Sequence, residues 1–167
     1  MKQTAMRTIS FTKDDERFMQ MAIDLSIENV ANGGGPFGAV IVRNGEVVAT
    51  GTNRVTASCD PTAHAEVSAI RSACAKLGTF KLEGCVIYSS CEPCPMCLGA
   101  IYWAHIDKIY YGANQHDAAE VNFDDSFIYR ELELPVDKRR KPVANILHDE
   151  ALAPFNLWRD KEDKVAY

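Results

Sequence analysis

The chain reads as an α/β protein with a mixed sheet covered by helices on both faces. Three observations predict this: a long amphipathic helix at the start, a hairpin next to it, and then alternation of helical and strand patterns. Residues 13 to 31 carry Phe18, Met21, Ala22 and Leu25 on one helical stripe. Thr12 followed by Asp15 forms an N-terminal capping signal, and Asn32-Gly33-Gly34-Gly35-Pro36 stops the helix. Phe37 to Arg43 and Glu46 to Asn53 flank Asn44-Gly45, a strong two-residue hairpin signal. Residues 63 to 77 read as a helix, with Val67, Ile70, Cys74 and Leu77 on one stripe and Gly78 after them. Residues 84 to 89 and 107 to 112 read as strands around a short helix at 94 to 104. Phe127 to Leu134 reads as helical, Val143 to His148 as a fifth strand, and 153 to 164 as a terminal helix.

The 167 residues fit one domain, 1–167, with no internal linker or repeat. The formal net charge is -5, which argues against a nucleic-acid partner, since such a partner requires a basic face. No stretch approaches a membrane span, and Asp14, Asp15 and Glu16 interrupt the region where a secretory apolar run would sit. These features point to a cytoplasmic protein that meets no membrane. Six cysteines in a reducing compartment suggest metal ligands or free thiols rather than disulfides.

Cys94 and Cys97 stand three apart, on one face of a helix that Pro93 helps to start. Thiolates are soft donors suited to zinc, and a helix start favours them. His64 adds an imidazole just after Asp60-Pro61-Thr62, where Asp60 or Thr62 can cap a helix with Pro61 in its first turn. Three protein ligands leave one tetrahedral position for water, the pattern of a catalytic zinc. Glu66 stands two residues after His64, roughly 200° around a regular helix, so both should not bind the metal. Glu66 instead suits proton transfer to and from the bound water. Alone, Cys-x-x-Cys also fits a redox pair, a structural site or two buried thiols. A structural zinc would draw its fourth ligand from Cys91 or Cys59. Taken together, His-x-Glu and Pro-Cys-x-x-Cys match the signature of zinc deaminases.

The stretches Asp60-Pro61-Thr62-Ala63-His64-Ala65-Glu66 and Ser90-Cys91-Glu92-Pro93-Cys94-Pro95-Met96-Cys97, with Asn53, resemble the cytidine deaminase-like superfamily. Nearly the whole chain resembles its bacterial guanine deaminases. This extends through Gly34 to Val40, Cys94 through Trp103, Phe123 through Tyr129 and the C-terminal tyrosine. The resemblance implies a three-layer α/β/α sandwich around a five-stranded mixed sheet. It implies one Zn2+ per subunit held by His64, Cys94 and Cys97, a zinc-bound hydroxide, and hydrolysis of guanine to xanthine and ammonia. Glu66 would shuttle protons, and Asn53 would hydrogen-bond the base. Phe37, His64 and Trp103 would provide aromatic surface. Asp125 would face a purine N–H or assist proton transfer. The segment from about 150 to 167 would be exchanged within a homodimer, with Tyr167 closing the partner's site.

Other residues carry less. His105, His116 and His148 lack ligand-like spacing, Cys74 and Cys85 read as buried apolar residues, and Lys138 to Lys141 reads as a solvated loop. The rival readings are a tRNA adenosine deaminase, a cytosine deaminase, and a zinc-stabilised interaction module without catalysis.

Overall fold

The computed structural model describes residues 10–166. Helix α1 covers Lys13–Ala31 and starts in a complete capping box. The Thr12 hydroxyl accepts from the Asp15 N–H at 3.2 Å, and the Asp15 carboxylate accepts from the Thr12 N–H at 2.7 Å. Strands β1 (Gly38–Arg43) and β2 (Glu46–Thr52) form the expected hairpin. Asn44 and Gly45 both take positive φ, 53° and 78°, as a tight primed turn requires. After a single helical turn, α2 (Val55–Ser58), comes α3 (Ala65–Leu77), which ends at Gly78 in the left-handed conformation. Then follow β3 (Cys85–Cys91), α4 (Pro95–Trp103), β4 (Lys108–Ala113) and α5 (Gln115–Glu120).

The sheet is mixed and has the order β2-β1-β3-β4. β1 pairs antiparallel with both β2 and β3, while β3 and β4 run parallel. Period-2 alternation sorts the strand residues between two layers. Ala39, Ile41 and Ile87 pack with Ala65, Ala69 and Ala73 of α3 and Ile101 of α4. Val40, Val42 and Tyr88 pack with Phe18 and Ala22 of α1 on the other face. Among the described residues the result is an α/β/α sandwich with four strands, where five were expected. Residues 143–147 form no strand, and Leu147, at φ 52°, leads into a short helix, α7 (His148–Ala151). The apolar pattern Val-Ala-Asn-Ile-Leu lacks a ladder partner among the described residues, and without one a strand does not form.

The chain divides into two compact units, up to Asp124 and from Asp125 onward. The second holds α6 (Ser126–Glu133), a 3-10 turn (Val136–Lys138), α7, and α8 (Ala153–Asp160), which ends four residues before the expected limit. None of its described residues is buried. No helix among the described residues is long and apolar enough to cross a membrane.

Two contacts join α1 and α3 closely to the sheet. The Tyr88 hydroxyl donates to Asp15 Oδ1 at 2.5 Å. Burial opposes the Asp15 charge, but hydrogen bonds from Tyr88 and Thr12 outweigh it and hold the carboxyl below its ordinary value. On the other face Gly51 lets α3 approach β2, since a Cβ there would lie 2.2 Å from the Ala65 carbonyl oxygen. Gly51→Ala is expected to destabilise the fold by about 1–3 kcal/mol or more, read by denaturant titration. The lowered Asp15 pKa adds stability above the unfolded carboxyl pKa, and this is lost as pH falls through the lower folded value. Tyr88→Phe is therefore expected to weaken the acid-induced loss of stability between those two pH values, measured by thermal unfolding across pH.

Candidate metal and active site

Two helices start beside one another and supply the site. The first is α3. His64 is its N-cap, in an extended conformation at φ -71° and ψ 161°, and so lies outside the helix proper. The expected cap at Asp60 or Thr62, with Pro61 in the first turn, is not what forms. Asp60 Oδ1 instead accepts from the Thr62 N–H at 2.8 Å and from its hydroxyl at 2.7 Å, closing a side-chain turn before the helix. Arg71 of α3 reaches back to Asp60 at 3.6 Å and Thr62 at 3.4 Å. Because His64 is extended, the regular-helix angle that would separate it from Glu66 does not apply. Both point to one place.

The second is α4, whose N-cap is Cys94, with Pro95 as first helical residue, two positions later than Pro93 suggested. Pro95 suits that position because the first-turn N–H has no helical partner to lose. Cys97 is two residues further into the same turn. His64 Nδ1 lies 3.6 Å from Cys94 Sγ and 3.5 Å from Cys97 Sγ. All three donor atoms fall within 4.8 Å of one another. Metal bonds of about 2.05 Å to nitrogen and about 2.3 Å to sulfur, meeting tetrahedrally, set such N···S pairs about 3.5 Å apart. The donor set and its spacing therefore fit a zinc ion.

Neither Cys59 nor Cys91 joins this cluster among the described residues. Cys59 is exposed, with its sulfur turned to the Thr56 carbonyl at 4.0 Å, and Cys91 turns to the Asn114 carbonyl at 3.8 Å. Among the described residues the group thus has three donors, one fewer than a closed structural site.

Glu66 is the buried acid beside it, 6% exposed. Its Oε2 accepts from Cys97 Sγ at 3.3 Å and its Oε1 from the Ser89 hydroxyl at 3.2 Å. Burial raises the Glu66 pKa above the ordinary carboxyl value, against the helix-start N–H and Cys97 hydrogen bonds that lower it. Desolvation dominates here because almost no water reaches the group. The thiols behave as a coupled pair. The hydrogen bond from Cys97, aided by His64, pulls Cys94 down to about 4, while the Cys97 thiol that donates it is pushed up.

Comparison with known proteins bears on this arrangement. Residues 12–113 match the family described as the cytidine and deoxycytidylate deaminase zinc-binding region. The chain belongs to this deaminase family. It is also a homologue of the guanine deaminase of Bacillus subtilis, 53% identical over 91% of this chain and 98% of that one. The crystal structure of that protein superimposes with a TM-score of 0.89 over the same shares. A guanine deaminase from Nitrosomonas europaea is 32% identical, with a TM-score of 0.64 over 71% of this chain and 68% of its own. The tRNA-specific adenosine deaminase of Bacillus subtilis is 41% identical over 59% of this chain and 62% of its own.

The remaining candidate residues of this deaminase sit as follows. Asn53 is buried just beyond β2, with its Oδ1 accepting from the Val55 N–H at 3.3 Å. Asn29, not anticipated, clamps that turn: its Nδ2 donates to the Gly35 carbonyl at 2.8 Å and the Asn53 carbonyl at 2.9 Å. Phe37 is partly buried and packs edge-on against Phe123, with ring centres 4.9 Å apart. Trp103 ends α4 and is 67% exposed. Asp125 is the N-cap of α6 in the second unit. Tyr167 lies outside the described residues. Ser89 also escaped the sequence reading. Its only advance signal is a polar residue inside the apolar run of β3.

The three-donor geometry predicts which thiols matter to the metal. Cys97→Ser is expected to cut bound zinc severalfold, measured by elemental analysis, whereas Cys59→Ser and Cys91→Ser leave it at the wild-type level.

Proposed function

We propose that this chain hydrolyses guanine to xanthine and ammonia. The observation that carries the reading is 53% identity with a guanine deaminase across almost the full length of both chains. A three-donor metal cluster beside a buried carboxylate supports it. His64, Cys94 and Cys97 would hold one Zn2+ per subunit. When bound, zinc supplies Lewis-acid chemistry that makes water a nucleophile near neutral pH.

The remaining work belongs to the protein. Water oxygen bonds to the amino-bearing ring carbon, and Glu66 takes a proton from that water. Glu66 delivers it to the adjacent ring nitrogen. A second proton from the oxygen reaches the amino group by the same carboxylate, the C–N bond breaks, and ammonia leaves. A buried carboxylate with raised proton affinity suits both halves of this exchange. Asn53 offers a donor and an acceptor for the edge of the base. Phe37, with His64 and Trp103, provides aromatic surface to the ring, and Asp125 accepts a purine N–H or assists the transfer.

We further read residues 1–167 as one catalytic domain in a homodimer. The C-terminal segment, about 150–167, is exchanged between subunits and brings Tyr167 to close the partner's site. Support comes from the second unit, where Leu152, Phe155, Leu157 and Trp158 are all exposed in the single chain. Clustered apolar surface of this kind calls for cover. Thiol ligands suit a reducing compartment, consistent with a cytoplasmic enzyme.

Ammonia release tests the substrate across guanine, aminopurines, adenine, cytosine and a tRNA anticodon stem. Guanine is expected to be turned over, with the tRNA and cytosine inert. Preference for tRNA or cytosine would transfer the assignment to that deaminase class. Glu66→Gln is expected to lose about 10²–10⁴-fold in turnover while keeping zinc and fold. Full activity in that variant would remove Glu66 from the mechanism, and no turnover of any base by wild type would favour a zinc-stabilised interaction module.

A further inference from the structure

β3 lies at the centre of the sheet and is buried almost throughout. Alternation along it directs Ile87 and Ser89 to the face covered by α3 and α4. Ile87 joins the apolar cluster there, with Ile41 and Ile101. Ser89 takes the next position on the same face and is only 2% exposed. A hydroxyl in such a place loses its hydration, at a cost of about 1–3 kcal/mol unless a protein group replaces the water. Packing alone would favour an alanine or valine. The replacement for water is Glu66, whose Oε1 accepts from the Ser89 hydroxyl at 3.2 Å.

The two oxygens of Glu66 therefore have different surroundings. Oε2 faces the metal cluster through Cys97, and Oε1 is tied to the sheet. The anchor is stiff, because Ser89 pairs with Ala39 on one side and Tyr111 on the other. We propose that Ser89 is a positioning residue for the reaction: its hydroxyl holds the Glu66 carboxylate against the metal cluster. This rests on the reading of Glu66 as the proton carrier. The contribution of Ser89 is to keep a flexible side chain at one distance from the reacting water and ring.

The test is steady-state ammonia release from guanine by Ser89→Ala, Ser89→Thr and Glu66→Gln, with zinc content and Tm measured on each. Ser89→Ala is expected to lower kcat about tenfold, the worth of one hydrogen bond to a charged group. Its KM and zinc content stay at wild-type values. Ser89→Thr keeps a hydroxyl on the strand and is expected to restore kcat to within about threefold of wild type. If alanine loosens the core, Ser89→Cys fills the same space with a weak donor and is expected to show the same loss. A wild-type kcat in folded, zinc-loaded Ser89→Ala overturns the proposal, as does a change confined to KM or a failure of threonine to rescue. Glu66→Gln separates the two readings: if it is fully active, the proton-carrier role fails. If it is inactive while Ser89→Ala is normal, only the role of Ser89 fails.

Discussion

The candidate site of this protein depends on two helices that begin side by side. Each contributes its N-cap residue, His64 or Cys94, and a residue from its first turn, Glu66 or Cys97. An N-cap is half outside its helix, so its side chain is free to turn across the helix end, while the first-turn residue is fixed by helical geometry. Combining one of each kind from two helices brings four side chains onto a small volume without distorting either helix. The exposed N–H groups at both starts add partial positive charge, which favours thiolates. The same field acts on Glu66, yet burial there prevails and raises its proton affinity. Cys94 differs because it accepts the hydrogen bond of the Cys97 thiol, which outweighs the burial of Cys94 and lowers its pKa.

The scaffold exists to keep those two starts together. α3 lies on β1 and β2 through small residues, Ala65, Ala69 and Ala73, and through the missing side chain at Gly51. α4 follows directly from β3, and its Ile101 reaches into the same apolar layer. Both helix ends are thus referenced to adjacent strands of one sheet. Errors in their separation are limited by close packing rather than by loops, which suits a metal cluster whose donors must hold to a few tenths of an ångström.

Much of this was legible in the amino-acid order because the signals are local. Thr12 with Asp15, the pair Asn44-Gly45, and Gly78 after an apolar stripe each mark one element end, and each does so in the structure. His64, Cys94 and Cys97 were legible through ligand type and spacing, and the structure brings them together. The failures have a different origin. Residues 143–148 have strand-like composition, but a strand is defined by its neighbour, and local pattern carries no information about that neighbour. Asp60, Pro61 and Thr62 offered a good helix cap, but the Asp60 side chain found its partners one turn earlier, within its own loop. Ser89 and Asn29 were missed because their partners lie 23 and 24 residues away, Glu66 for one and Asn53 for the other. Such pairings become visible only once the sheet is assembled.

The division of the chain bears on how one reaction can serve different substrates. The family match covers residues 12–113, and the first compact unit runs to Asp124. The metal donors, Glu66, Ser89, Asn53 and Phe37 all fall within both. Of the residues proposed to contact the base, Asn53, Phe37 and Trp103 fall within the family match, and Asp125 and Tyr167 fall beyond it and in the second unit. Proton transfer and metal chemistry need fixed distances, so they belong on a buried sheet. Base selection needs only a changeable edge of donors and acceptors, and short exposed helices can change without disturbing the core. A family that keeps the first part constant and varies the second would separate rate from specificity.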